Sequence, residues 1–306
     1  MKRLNLFIVV ILCCYSSVML GQQDAQYTQY MYNTININPA YAGSRGTLSV
    51  FGLHRTQWVG LDGAPKTANF SIESPISENG QGLGLSVVND KIGPSNELYL
   101  DGNFSYSLPL GYEKRLAFGI KAGTRMLNID WSKGRYYDNT DVLLNQNIDN
   151  QMKLAVGAGV YYYTEKWYLG FSIPSFIENN YYDDVQESID YDRLHYYLMG
   201  GYVFDLNDNI KFKPAFLVKT VEGSPLQADF SGNFLLHEKF TLGVAYRWDA
   251  AVSALAGFQI TNGLFIGYGY DAETTKLRKY NSGSHEIFLR FDIFSRNNRI
   301  ISPRFF

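Results

Sequence analysis

Along most of the chain, apolar residues occupy every second position. In RLAFGIKAGTR, Leu116, Phe118, Ile120 and Ala122 share one face, and Gly119, Lys121, Gly123 and Arg125 share the other. MKLAVGAGVYYY sets Leu154, Val156, Ala158, Val160 and Tyr162 against Lys153, Gly157, Gly159 and Tyr161. SHEIFLRFDIF sets Ile287, Leu289, Phe291 and Ile293 against Glu286, Arg290 and Asp292. A sustained period of two is the mark of a strand with one apolar face. The pattern predicts fourteen strands, over 47–55, 66–74, 82–91, 96–107, 114–128, 151–163, 166–174, 193–205, 209–220, 226–235, 239–248, 252–260, 263–271 and 283–294.

So many strands fit either a soluble sandwich, single or paired, or a transmembrane barrel. The links favour the barrel. Those after even strands, such as TEK before Trp167, NDN after Leu206 and HE after Leu236, are very short, whereas 129–150, 175–192 and 272–282, after odd strands, are long. An up-and-down barrel of an outer membrane needs this alternation, with short turns in the periplasm and longer loops outside. Strand length agrees with a tilted span of roughly 9–11 residues. Aromatics such as Tyr162 and Trp167, Tyr246 and Trp248, and Tyr268 and Tyr270 close the apolar faces, as interfacial girdles do. The expected fold class is therefore all-β, a transmembrane up-and-down antiparallel β-barrel of about fourteen strands in the outer membrane.

Composition adds 24 Tyr, 20 Phe and 28 Gly, all consistent with strands. The first 21 residues, with Lys2 and Arg3 before an apolar run from Leu4 to Leu12, read as a signal peptide. Both cysteines, Cys13 and Cys14, fall inside it, so the exported chain is expected to carry no thiol, disulfide or thiolate metal site. Without that segment 25 basic residues face 29 acidic ones, which gives no reason to expect nucleic-acid binding. The remaining organisation is a lead over 22–46, a barrel over 47–294 and a tail over 295–306, with the alternation up to Phe294 resembling a barrel-assembly signal.

The residues offer little catalytic chemistry. His54, His195, His237 and His285 are scattered without metal spacing, no phosphate loop is present, and the glycines of GIKAG, GAG and GYGY recur at period two as small lumenal positions. No Ser and His can be nominated as a hydrolytic pair, so no enzymatic activity, cofactor or metal is expected. The polar side of the alternation carries Lys121, Arg125, Lys153, Lys211, Lys213, Lys219, Arg247, Asp271, Arg290 and Asp292. Such charges either line an aqueous pore or pair around a filled interior.

Two stretches stand apart. YTQYMYNTININPAYAGSRG, 27–46, is rich in aromatics and Asn and has one charge; HRTQWVGLDGAPKTANF, 54–70, places Arg55 and Trp58 before an Asp62-Gly63-Ala64-Pro65 turn. The second is either a plain hairpin loop or a fixed surface loop. With Asn38, Pro39, Tyr41 and Gly43 in the first, Arg55, Gln57, Trp58, Gly63, Pro65 and Thr67 in the second, and GLGLSVVNDKIGP at 82–94, the chain resembles the PorP/SprF family of outer-membrane proteins of the type IX secretion system of Bacteroidota.

That resemblance implies a non-enzymatic outer-membrane barrel. Its partners would be other type IX components, outer-membrane lipids, and surface cargo or adhesins that carry a type IX C-terminal domain, with a role in gliding motility for some members. It also makes the motif residues of both stretches candidates for partner binding or structure. The alternative from the residues alone is a solute channel or transporter. The tyrosines of the lead need apolar surroundings, so the lead either folds back into the barrel as a plug or serves as a periplasmic arm that grips a partner. The long loops 129–150 and 175–192, rich in Asn, Asp and Tyr, are the expected external contact surface.

Overall fold

A computed structural model describes residues 30–134, 147–177, 194–221 and 224–293. Residues 1–21, expected to be a signal peptide, residues 22–29 of the lead, most of the two long loops, Phe294 and the tail lie outside the described residues. The strand segments are β1 (Leu48–Thr56), β2 (Lys66–Pro75), β3 (Gln81–Ile92), β4 (Ser95–Pro109), β5 (Arg115–Ile129), β6 (Ile148–Tyr163), β7 (Trp167–Ile173) and β8 (His195–Tyr202). They continue with β9 (Phe204–Asn207), β10 (Ile210–Val221), β11 (Gln227–Leu236), β12 (Phe240–Arg247), β13 (Ala251–Gln259), β14 (Leu264–Glu273) and β15 (Ser284–Ile293).

Each segment pairs antiparallel with its neighbours, and β1 closes the ring against β15, from Leu48 opposite Ile293 to Thr56 opposite His285. β8 and β9 both pair with β10 and form one stave, so the fifteen segments make a fourteen-stave barrel. The single strand expected over 193–205 is broken at Val203, which is buried and turns its N–H to the Lys166 carbonyl at 2.7 Å. β6 begins at Ile148, earlier than the pattern suggested, because Ile148 pairs with Ile129 across a register shift.

Alternation is carried through every wall. In β15 the exposed set is Ile287, Leu289, Phe291 and Ile293, while Glu286, Phe288, Arg290 and Asp292 are buried. Leu85, Ile120 and Val244 are 62%, 61% and 64% exposed on the outer surface. An apolar band of this extent on a closed ring requires a hydrocarbon solvent. The turns after β2, β4, β6, β9, β11 and β13 gather at one end, with the start of β1 and the end of β15; the loops after β1, β3, β5, β7, β10, β12 and β14 gather at the other.

Candidate functional site

The lumen near the turn end is occupied by the chain itself. Residues 30–46 run through it as three short 3-10 turns, Tyr30–Tyr32, Thr34–Asn36 and Pro39–Tyr41, and almost all of them are buried. Pro39 begins the third turn with its φ preset, and the Asn38 side chain caps it by accepting from the Ala40 N–H at 3.0 Å. The same side chain, fully buried, donates to the carbonyls of Val160 on β6 at 3.0 Å and Phe171 on β7 at 3.4 Å.

The wall supplies what the lead's backbone lacks. Lys121 donates to the Asn36 carbonyl at 3.0 Å, Ser172 to that of Ile37 at 2.8 Å and Ser105 to that of Ala42 at 2.6 Å. Asn33 lies between Asn69 and Ser71 of β2, at 3.0 and 3.1 Å. Tyr32 packs on Phe265 and Phe288, ring centroids 5.5 and 4.3 Å away, and Tyr41 meets Tyr161 edge-on at 5.5 Å. These contacts touch the ring on opposite sides, so the lead crosses the lumen rather than lining one wall. The approach is close enough to dictate residue type. A Cβ on Gly119 would stand 2.1 Å from the Ala40 nitrogen.

The charges pair around this filled interior. At the turn end, Arg45 of the lead binds Asp292 at 2.8 Å, Arg290 reaches the same carboxylate at 3.3 Å, and Glu73 accepts from the Gly43 N–H at 3.0 Å. Toward the loop end, Arg55 clamps Asp271 at 2.6 Å and Glu286 at 3.1 Å and Arg247 binds Asp229 at 2.7 Å; between the two ends Lys121 and Arg125 share Asp101 at 3.2 and 2.8 Å. Desolvated ions persist only with such partners. Lys213 and Lys219 lie over the rings of Tyr168 and Tyr197 at 5.4 and 5.8 Å; Lys153 is a half-buried lumenal neighbour on β6, and Lys211 faces Glu238 at 3.8 Å. Above the lead, a cavity of about 90 Å³ is floored by Tyr30, Asn36 and Ile37 and walled by Tyr99, Asp101 and Arg125 among others.

The motif residues divide by location. Asn38, Pro39 and Tyr41 belong to the plugging segment, and Gly43, at φ +70, turns it toward Glu73. Arg55 and Thr67 face the lumen, with Thr67 donating to Asp90 at 2.6 Å. Gln57, Trp58, Gly63 and Pro65 build the loop at 57–65: Gln57 N–H to Pro65 carbonyl 2.9 Å, Trp58 Nε1 to Glu273 2.8 Å, and Gly93 N–H to Gly63 carbonyl 2.9 Å. This loop is fixed to the loops on both sides. Sequence reasoning did not single out Arg45, Glu73, Asp101 or Asp229; each sits at a lumenal parity or in the lead, and strand alternation alone would have found Glu73, Asp101 and Asp229.

Among the described residues, no group of three or more His, Cys, Asp or Glu could hold a metal ion. A closed antiparallel ring with an apolar outer face and a lumen filled by its own N-terminal segment defines a membrane-spanning barrel of the outer-membrane type. The family model of the type IX secretion system membrane protein PorP/SprF matches residues 19–291, and the chain belongs to that family. Membership implies other type IX secretion components as partners and places the barrel in the outer membrane, with short turns toward the periplasm.

No curated protein matches the sequence. Among solved structures, the chain is similar to the CymD monoaromatic hydrocarbon channel at 10% identity and a TM-score of 0.52, over 91% of this chain and 96% of that one. It is also similar to a Pseudomonas aeruginosa FadL homologue at 12% identity and a TM-score of 0.43, over 80% and 89% of the two chains. At 10% identity the likeness to the channel concerns the fold.

Proposed function

We propose that this barrel is a binding and anchoring component of type IX secretion that holds surface cargo or adhesins through their C-terminal targeting domain, without catalysis and without a cofactor. Residues 1–21 would direct export and be removed. The observation that carries the reading is the filled lumen: with Asn38 hydrogen-bonded to two strands and Tyr32 packed between Phe265 and Phe288, the ring is built as a closed support. A closed support suits a protein whose work is done at its ends. The outward loops then supply the contact surface, 129–150 and 175–192 first, and a role in gliding motility would follow from the adhesins held. The lipid contacts of the apolar face complete the list of partners.

A native pull-down tests this. An affinity tag placed within 175–192 avoids the barrel staves, and the outer membrane is extracted in mild detergent before mass spectrometry. Recovery of a large surface protein with a type IX C-terminal domain supports anchoring and names the cargo. A barrel recovered alone, with cargo secreted and attached normally in its absence, removes the reading. Solute transport is the second reading, favoured by the cavity above the lead and by the fold likeness to a hydrocarbon channel; it requires uptake or conductance by the purified protein alone.

A further inference from the structure

The outer rim of the barrel, on its lipid-facing side, holds basic residues that the fold does not neutralise. Lys66 at the start of β2 stands directly opposite Lys91 of β3, and both point outward in the same alternation as Phe70 and Val87. Like charges directly opposite on one face of a sheet repel. Neither lysine has a carboxylate partner among the described residues. The same register row runs through Thr56 on β1, His285 on β15 and Tyr270 on β14, all outward-facing.

A second cationic group rises from the end of that row. The loop after β14 carries a short 3-10 turn, Lys276–Lys279, in which Lys276, Arg278 and Lys279 are exposed and likewise without a carboxylate partner among the described residues. Leu277 and Tyr280 beside them are 39% and 68% exposed. The loop is firmly built. Thr275 caps the turn, Asn281 joins Leu277 at 2.7 Å and Gly283 at 2.8 Å, and residues 282 and 283 pair with Val59 at 2.8 and 2.9 Å. Glu273, at the end of β14, is already engaged by Trp58 and Thr275. Tyr270, from the lipid-facing surface, donates to the Ser282 carbonyl at 3.0 Å, so the loop sits over the aromatic border of the apolar band.

At the periplasmic end Lys166 is paired with Asp205 at 3.0 Å and Lys211 with Glu238 at 3.8 Å, while Lys114 and Lys239 stand exposed on two separate turns rather than as a cluster. An unneutralised cationic rim at headgroup height, flanked by tyrosines, has the charge and position to hold anionic lipid.

We infer that Lys66 and Lys91, together with Lys276, Arg278 and Lys279, bind the phosphates of an anionic outer-leaflet glycolipid. The two groups lie about 15 Å apart along the rim by strand spacing, which suits a headgroup with more than one phosphate. The inference rests on the outer-membrane orientation and is independent of cargo, so cargo capture can fail while it stands.

Native mass spectrometry of the full-length protein in detergent, titrated with diphosphoryl lipid A, monophosphoryl lipid A or phosphatidylcholine, is the test. The variant with Lys66→Gln, Lys91→Gln, Lys276→Gln, Arg278→Gln and Lys279→Gln is compared with a periplasmic-end control, Lys114→Gln with Lys166→Gln and Lys239→Gln. Retention of the compact, heat-modifiable electrophoretic form confirms that each variant is folded. Wild type and control are expected to retain diphosphoryl lipid A in preference to the other two, and the rim variant to lose at least about tenfold in affinity. Equal retention by the rim variant, an equal loss in the control, or no preference for the second phosphate overturns the inference. So does unchanged lipid binding with loss of a co-purifying protein, which would assign the rim to a protein partner.

Discussion

The periplasmic and outer halves of the lumen bury polar groups in different ways. In the periplasmic half the wall is completed by the lead: Ser105, Ser172 and Lys121 donate to its carbonyls, and Asn38 returns two bonds to β6 and β7. In the outer half the wall is completed by itself, with Arg55 joined to Asp271 and Glu286 and with Arg247 joined to Asp229. The first half therefore depends on a separable segment, and the second on strands that cannot leave. The difference teaches that closure of the pore and integrity of the ring are carried by different residues, and it can be broken experimentally.

The largest effect is expected from removing the lead. In planar bilayers the full chain should show no steady conductance, and deletion of residues 22–42 should produce a persistent channel while the outer ion pairs keep the ring closed. Conductance unaltered by the deletion would show that the lead is not the barrier.

Next comes the contrast between two arginines. Arg55→Gln leaves Asp271 and Glu286 buried without their cation and should cost about 3–5 kcal/mol. Arg45→Gln should cost about 1–2 kcal/mol, because Arg290 still reaches Asp292 at 3.3 Å. Equilibrium urea unfolding in lipid micelles measures both; equal losses would erase the distinction between the halves. A smaller effect is expected for Asn38→Ala, about 1–3 kcal/mol, which should also loosen the lead. Loosening is read by maleimide labelling of Ala42→Cys, whose buried position should be unreactive in the intact barrel and become reactive when Asn38 is gone.

Much of this arrangement was legible in the sequence because strand alternation is a local signal. Lys121, Arg247, Arg290 and Asp292 could be assigned to the lumen from their immediate neighbours, and the structure finds them buried there. Which charge meets which could not be read, since Arg45 and Asp292 are 247 positions apart and Arg55 and Glu286 are 231 apart. The break at Val203 was hidden for a related reason: there the N–H turns to the Lys166 carbonyl, in the turn before β7, a partner distant in sequence. The lead offered the plainest hint, tyrosines and asparagines with one charge, but a hint of burial does not say against what. Loop at 57–65 and wall at Arg55 looked like one motif and serve two places, because a strand ends between them.

The smallest expected effect sharpens the comparison most, because it uses one chemical change on the two faces of the wall. Gly102 on β4 faces lipid, and a Cβ there would meet nothing closer than the Ala122 carbonyl oxygen at 3.6 Å. Gly102→Ala should therefore shift stability by no more than about 0.5 kcal/mol. Gly119 on β5 faces the lead, where the new Cβ would stand 2.4 Å from the Ala40 Cα and from the Pro39 carbonyl carbon as well. Backbone cannot rotate out of the way as a side-chain tip can, so Gly119→Ala should displace the lead and raise labelling at Ala42→Cys. Made in the chain lacking 22–42, Gly119→Ala should become as neutral as Gly102→Ala. A penalty that survived the deletion would place the cost of the methyl group in the strand ladder, and the close approach of Ala40 would lose its standing as the reason for glycine at that position.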